Sequence, residues 1–160
     1  MSEQPCIPRE LLANPLFVLG RVGYAVKTQA MDTFEAAGYN PYGYGVLALL
    51  EEGARETQAT IADTLKIDRS QLVGILDSLE GKGLIERRRD PNDRRRHLVS
   101  ITAAGRKQMI GFRKLASQLE ADLLGALSAE EREQLRTLLL KVAGSRDLRF
   151  VPPELRAVAG

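Results

Sequence analysis

Residues 68–101 read DRSQLVGILDSLEGKGLIERRRDPNDRRRHLVSI, and the fold turns on the point where their periodicity changes. Asp68, followed three residues later by Gln71, is a capping-box pattern that opens a helix over Arg69–Lys82. Leu72, Ile75, Leu76 and Leu79 give that helix one apolar face, and Gly83 ends it. From Leu84 the period drops to two. Leu84-Ile85-Glu86-Arg87-Arg88 reads as a strand, Asp90-Pro91-Asn92-Asp93 as a turn, and His97-Leu98-Val99-Ser100-Ile101 as the return strand. Leu98 stands apart from the His97/Val99/Ile101 face. The stretch is a helix that runs straight into a two-stranded hairpin tipped with arginines.

Working outward, Thr57 offers an N-cap for a short helix over about Gln58–Leu65, with Ile61, Ala62 and Leu65 inward. Lys66-Ile67 then makes a tight connection. Before it, a helix from Pro41 to Glu52-Gly53 carries Val46, Leu47, Leu49 and Leu50, and residues 38–45 begin it with Gly, Asn and Pro turn chemistry. Asn14-Pro15 starts a long helix to about Ala37, with Phe17, Val22, Val26, Ala30 and Phe34 near helical spacing. Residues 1–13 form an arm with one helical turn over Arg9–Leu12. On the other side, Thr102 caps a helix from Ala103 to about Leu127, and Ser128 with Glu131 forms a second capping box. The last helix, Ala129–Ala143, places Leu135, Leu138, Leu139 and Val142 inward. The expected class is mainly α with a small β-hairpin wing, a winged helix-turn-helix domain on a helical dimerisation base. Its parts are an arm and dimerisation helix (1–37), the winged domain (38–102), C-terminal dimerisation helices (103–143) and a tail (144–160).

Composition narrows the function. The 160 residues are 44% hydrophobic and 28% charged, the make-up of one folded unit. One cysteine, Cys6, and one histidine, His97, exclude an internal disulfide framework and argue against a metal site; no cofactor is expected. No apolar run approaches the ~18 residues of a membrane span, and the N-terminus is polar, so no membrane partner is expected and the expected compartment is the cytoplasm. The net charge of +2 hides an asymmetry. Residues 82–114 hold eleven basic and three acidic side chains; the rest of the chain holds twelve basic and eighteen acidic. A basic patch on an acidic body is a footprint for a polyanion.

Patch and order of elements agree. A short helix props up a second one that is about 21 Å long at 1.5 Å per residue, a length that suits a DNA major groove. Its inner face packs on the body, leaving Arg69, Ser70, Gln71 and Val73 to meet base edges. Arg87, Arg88 and Arg89 on the first wing strand suit phosphate contact. Asp93 and Arg95, two apart on a segment taken as extended, share a face and pair at the wing tip; Arg94 and Arg96 then face elsewhere, toward phosphates.

These residues resemble the MarR family of bacterial transcriptional regulators. The resemblance is carried by Leu79-Glu80-Gly81-Lys82-Gly83-Leu84-Ile85-Glu86-Arg87, by Asp90-Pro91-Asn92-Asp93-Arg94-Arg95 and by Val99-Ser100-Ile101-Thr102-Ala103-Ala104-Gly105. They match the family's L-x-x-K-G-L-I-x-R, D-x-x-D-x-R and L-T-x-x-G patterns in order, with Ile101 in place of the junction's Leu. The likeness runs from about Pro15 to Ala143. It implies a homodimer whose first and last helices interlock. It also implies a double-stranded DNA operator with pseudo-palindromic half-sites, and a repressor released by a small aromatic or acidic effector. By family position Arg95 is the minor-groove residue. The family's effector pocket lies between the dimer base and the winged domain, which points to Arg21, Tyr24, Tyr39, Tyr42 and Tyr44. One departure is Val73-Gly74, where many members carry a Thr or a basic residue. The surplus of apolar positions on the first and last helices argues separately for a partner chain.

Other readings are weaker. Redox sensing through Cys6 would need the electropositive setting that activates a thiol, and only Arg9 is close in sequence. In the hydroperoxide-sensing branch of the family the cysteine falls near the start of the first long helix, where Leu16 or Phe17 stands here. A winged-helix module that binds protein rather than DNA is the third alternative. An enzyme is not expected: there is no Gly-rich phosphate loop, no Gly-x-Ser-x-Gly and no clustered His/Asp/Glu set.

Overall fold

A computed structural model describes residues 6–53 and 55–151. Its elements run α1 (Arg9–Leu12), α2 (Pro15–Ala36), α3 (Pro41–Gly53), β1 (Glu56–Thr57), α4 (Gln58–Leu65), α5 (Arg69–Gly81), β2 (Ile85–Arg89), β3 (His97–Ile101), α6 (Ala103–Leu124), α7 (Ala129–Gly144) and a 3₁₀ turn (Leu148–Phe150). The residues at 1–5 and 152–160, Pro152-Pro153 among them, lie outside the described residues.

The helix starts follow local chemistry. The side chains of Asn14, Thr57, Thr102 and Ser128 each accept a backbone N–H of the turn they open, satisfying donors that a helix start leaves bare. Ser128 and Glu131 form the full reciprocal box. Asp68 forms only half of one: its carboxylate accepts from Ser70 and Gln71, and Gln71 stays exposed.

The hairpin is a three-stranded sheet, not a two-stranded one. Its order is β1-β3-β2, all antiparallel, with Glu56 opposite Val99 and Ile85 opposite Ile101. The two-residue β1 covers the free edge of β3 and fixes the start of α4 to the wing. Behind this sheet the core gathers Val46, Leu47 and Leu50 of α3, Ile61 of α4, Leu72, Ile75, Leu76 and Leu79 of α5, Val99 of β3, and Met109 and Phe112 of α6. Phe112 is completely buried and meets Phe34 and Tyr39 with ring centroids at 5.7 and 4.7 Å. Each such side chain contributes about 1.5–3 kcal/mol.

The long helices depart from expectation. On α2 only Phe34 is buried; Leu16 is 77% exposed, and Val22 and Val26 also face outward. On α7 no residue is buried, and Leu138 is 61% exposed beside Leu139 and Val142. Their apolar faces find no cover among the described residues. No helix among the described residues is long and apolar enough to cross a membrane.

Candidate nucleic-acid interface

The turn between α4 and α5 is set by Lys66, whose backbone lies in the left-handed region at φ 52° and closes α4 through its N–H to Ala62 O. Asp68 then starts α5. Its carboxyl is held below the usual range, first by the Ser70 hydroxyl, then by the N–H groups of Gln71 and Ser70. Ser70 is therefore engaged at the cap as a donor. Arg69, Gln71 and Val73 are exposed on the face away from the core.

The wing is fastened to this helix by Arg87. Its guanidinium donates to Glu80 through Nε at 2.9 Å and Nη2 at 2.5 Å, and to Asp77 at 2.6 Å. Its backbone N–H also reaches Glu80 at 3.2 Å. The Glu80 carboxyl is held low, chiefly by the Arg87 hydrogen bond, and the Arg87 guanidinium is held high by the same contact. Arg87 is thus committed to α5, a partner that its assignment to phosphate did not foresee. The signal was there: an acid on the last turn of the helix, seven residues before an arginine on the strand. Lys82 makes a second tie, donating to Gly38 O at 2.5 Å with Nζ 4.2 Å from the centre of the Tyr39 ring.

The wing tip corrects the expected pairing. Residues 94–95 form a turn, so the two-residue alternation of an extended strand does not apply. Asp93 Oδ1 accepts the backbone N–H of Arg95 at 3.0 Å, and Asp93 Oδ2 faces Arg96 Nε at 3.3 Å. The carboxylate therefore pairs with the Arg96 side chain, not with Arg95, and acts on Arg95 only through the backbone, as an Asx turn. Arg88 pairs with Glu86 at 3.0 Å. Among the described residues no carboxylate pairs with Arg89, Arg94 or Arg95.

A cleft of about 590 Å³ separates wing from helix. Arg69 and Val73 line it from α5, Arg95, Arg96 and His97 from the wing, and Gln58 and Thr60 from α4. Two elements thus present arginines to one groove, with polar side chains and the apolar Ala59, Leu72 and Val73 between them.

The tyrosines behave differently. Tyr39 and Tyr44 pack around Phe112, and the Tyr39 hydroxyl donates to Gln108 Oε1 at 3.0 Å. Tyr42 packs against the core, whereas Tyr24 is 70% exposed on α2 and Arg21 is exposed with it. The five residues are not gathered around one cavity. Cys6 is exposed ahead of α1.

The junction motif also has a physical reason. Thr102 donates its N–H to Leu84 O at 3.0 Å and its hydroxyl to Gly83 O at 2.7 Å, while its hydroxyl oxygen accepts Gly105 N–H at 3.0 Å. A Cβ on Gly105 would lie 2.1 Å from Leu84 O. Glycine is what lets α6 start directly against the strand.

A short helix, a capped second helix and an arginine-bearing wing that open onto one cleft define a winged helix-turn-helix protein of the DNA-binding class. The MarR family model matches residues 43–97. The chain is 32% identical to the transcriptional repressor CouR bound to a 23-mer DNA duplex, over 88% of this chain and 99% of that one, with a TM-score of 0.76. It is 29% identical to a MarR variant from E. coli complexed with operator DNA, over 82% and 97% of the chains, with a TM-score of 0.66. It is 31% identical over 105 residues to a protein named for transcriptional regulation of the hcr operon in Thauera aromatica, an alignment that spans 66% of this chain and 63% of that protein. The chain belongs to the MarR family of DNA-binding transcriptional regulators, which are not enzymes.

Proposed function

We propose that this protein is a repressor that binds a pseudo-palindromic operator as a homodimer and leaves it when a small aromatic or acidic effector binds. The observation that carries the reading is the convergence of Arg69 from α5 and Arg95 from the wing on one cleft. Arg69, Gln71 and Val73 read bases, and Ser70, whose hydroxyl donates to Asp68, can meet one only as an acceptor. Arg95 enters a narrow minor groove or meets phosphate, and Arg88, Arg89, Arg94 and Arg96 contact phosphates. Arg87 and Asp93 hold the wing in place, as their ion pairs indicate.

The second chain covers the helices that one chain leaves bare. Leu16, Val22 and Tyr24 on α2 and Leu138 and Val142 on α7 make an apolar surface that a partner's same helices would bury. The base is then built from residues 15–37 and 103–143, with residues 38–102 as the winged domain. The aromatic cluster of Phe34, Tyr39, Tyr44 and Phe112 sits where α2, α3 and α6 meet. An effector wedged beside it would change the spacing of the two reading helices by population shift. Such a regulator works beside the chromosome, in the cytoplasm.

Footprinting on the DNA flanking the coding gene tests the reading. Protection of an inverted repeat whose half-sites lie about one helical turn apart is expected. Binding with no preferred sequence, or a monomer on DNA, would overturn it. An aromatic-acid screen on that footprint tests the effector.

A further inference from the structure

Gly74 is the sixth of the thirteen residues of α5. Leu72, Ile75, Leu76 and Leu79 are buried, and at 3.6 residues per turn Gly74 falls on the opposite, outward face. A Cβ built there meets nothing within 4 Å, and its φ is not positive. Neither crowding nor backbone conformation therefore requires glycine. Alanine would fit, and it would strengthen the helix, because a mid-helix glycine has the most backbone freedom to lose on folding. Nothing among the described residues compensates for this weakness.

The compensation lies outside. Around Gly74 the surface of α5 carries one long free side chain, Gln71, one turn earlier: the Ser70 hydroxyl is turned to Asp68, Asp77 is held by Arg87, and Val73 is short and 46% exposed. Beyond the reach of Gln71, a base can be met here only if the helix itself comes close. We propose that Gly74 is a specificity-determining position. Its bare backbone lets α5 seat deeply in the major groove, so that the Val73 methyls meet a thymine methyl and Gln71 keeps hydrogen-bonding distance to its base. The inference rests on α5 being the base-reading helix.

Full-length wild type, Gly74→Ala and Gln71→Ala are compared on the footprinted operator duplex and on a scrambled duplex of equal length, with melting curves at one fixed protein concentration. Gly74→Ala is expected to melt about 2–4 °C higher. It should bind the operator about tenfold more weakly, the loss of one base contact. On the scrambled duplex it should change by no more than about twofold. Replacing operator thymines by deoxyuridine, which removes only the methyl, should weaken wild type and leave Val73→Ala unaffected. If Gly74→Ala keeps full operator affinity and preference while Gln71→Ala loses them, the role given to Gly74 is wrong. If Gln71→Ala also binds as wild type, the reading of α5 itself falls.

Discussion

Replacing Gly105 by alanine isolates the packing that joins the wing to α6. The new Cβ would stand 2.1 Å from Leu84 O and 2.7 Å from Ile101 Cγ1. Both neighbours are nearly buried, at 6% and 7% exposure, so neither can swing away. To reach ordinary contact the start of α6 must retreat by about 1 Å, a shift of the kind that overpacking forces at about 1–3 kcal/mol. That retreat also stretches Thr102 N–H to Leu84 O and the Thr102 hydroxyl to Gly83 O, at about 1 kcal/mol each. The gain in helix propensity returns about 1 kcal/mol. The net expectation is a loss of about 2–4 kcal/mol, read as a lower urea midpoint with an unchanged slope. Gly105→Ala as stable as wild type, or more so, would refute the close-approach account. Helix propensity would then have acted alone, as it is expected to do at Gly74.

Three further outcomes follow from the geometry. The Glu80 carboxyl lies below its ordinary value of 4.5 because Arg87 donates to it, so the tie stabilises the fold fully above that value and is lost as pH falls through the lowered folded one. The stability difference between wild type and Glu80→Gln, measured by urea unfolding, should be constant near neutral pH and shrink in acid; a difference that grows in acid would contradict the sign. Val22→Asp combined with Leu138→Asp should give a monomer by light scattering at micromolar concentration, and a persistent dimer would mean that α2 and α7 are not the base. Asp93→Ala removes the Asx turn and the Arg96 partner, and should weaken binding to all DNA by roughly two- to fivefold; tighter binding would show Asp93 to be only a charge penalty.

The α5 inner face, the hairpin and the helix caps were legible in the sequence because each depends on neighbours within a few residues. Thr57, Thr102 and Ser128 act on backbone N–H groups three positions on, and no tertiary contact is needed to see it. β1 was not legible: two residues cannot show alternation, and Glu56–Thr57 is a strand only because β3 lies beside it. The Asp93–Arg95 pairing failed for a related reason. Spacing predicts a shared face only on extended backbone, and residues 94–95 turn. The α7 positions Leu138, Leu139 and Val142, expected to face inward, are exposed, because periodicity marks an apolar face without saying what covers it. The tail lay beyond any pattern: Arg149 donates to Asp63 O, a contact across 86 positions, and pairs with Asp147 at 2.5 Å. That pairing holds the Asp147 carboxyl at about 2.

The division of labour between α5 and the wing is tested most directly by operator affinity across a salt series for wild type and Arg95→Ala. In the proposed homodimer the substitution removes two charges, so the slope of log affinity against log salt should flatten by about 1.8 if each arginine neutralises one phosphate. The preference for operator over scrambled DNA should stay almost unchanged. An unaltered slope, or a collapse of sequence preference with the slope intact, would contradict the placement of Arg95 on the DNA backbone and of base reading on α5.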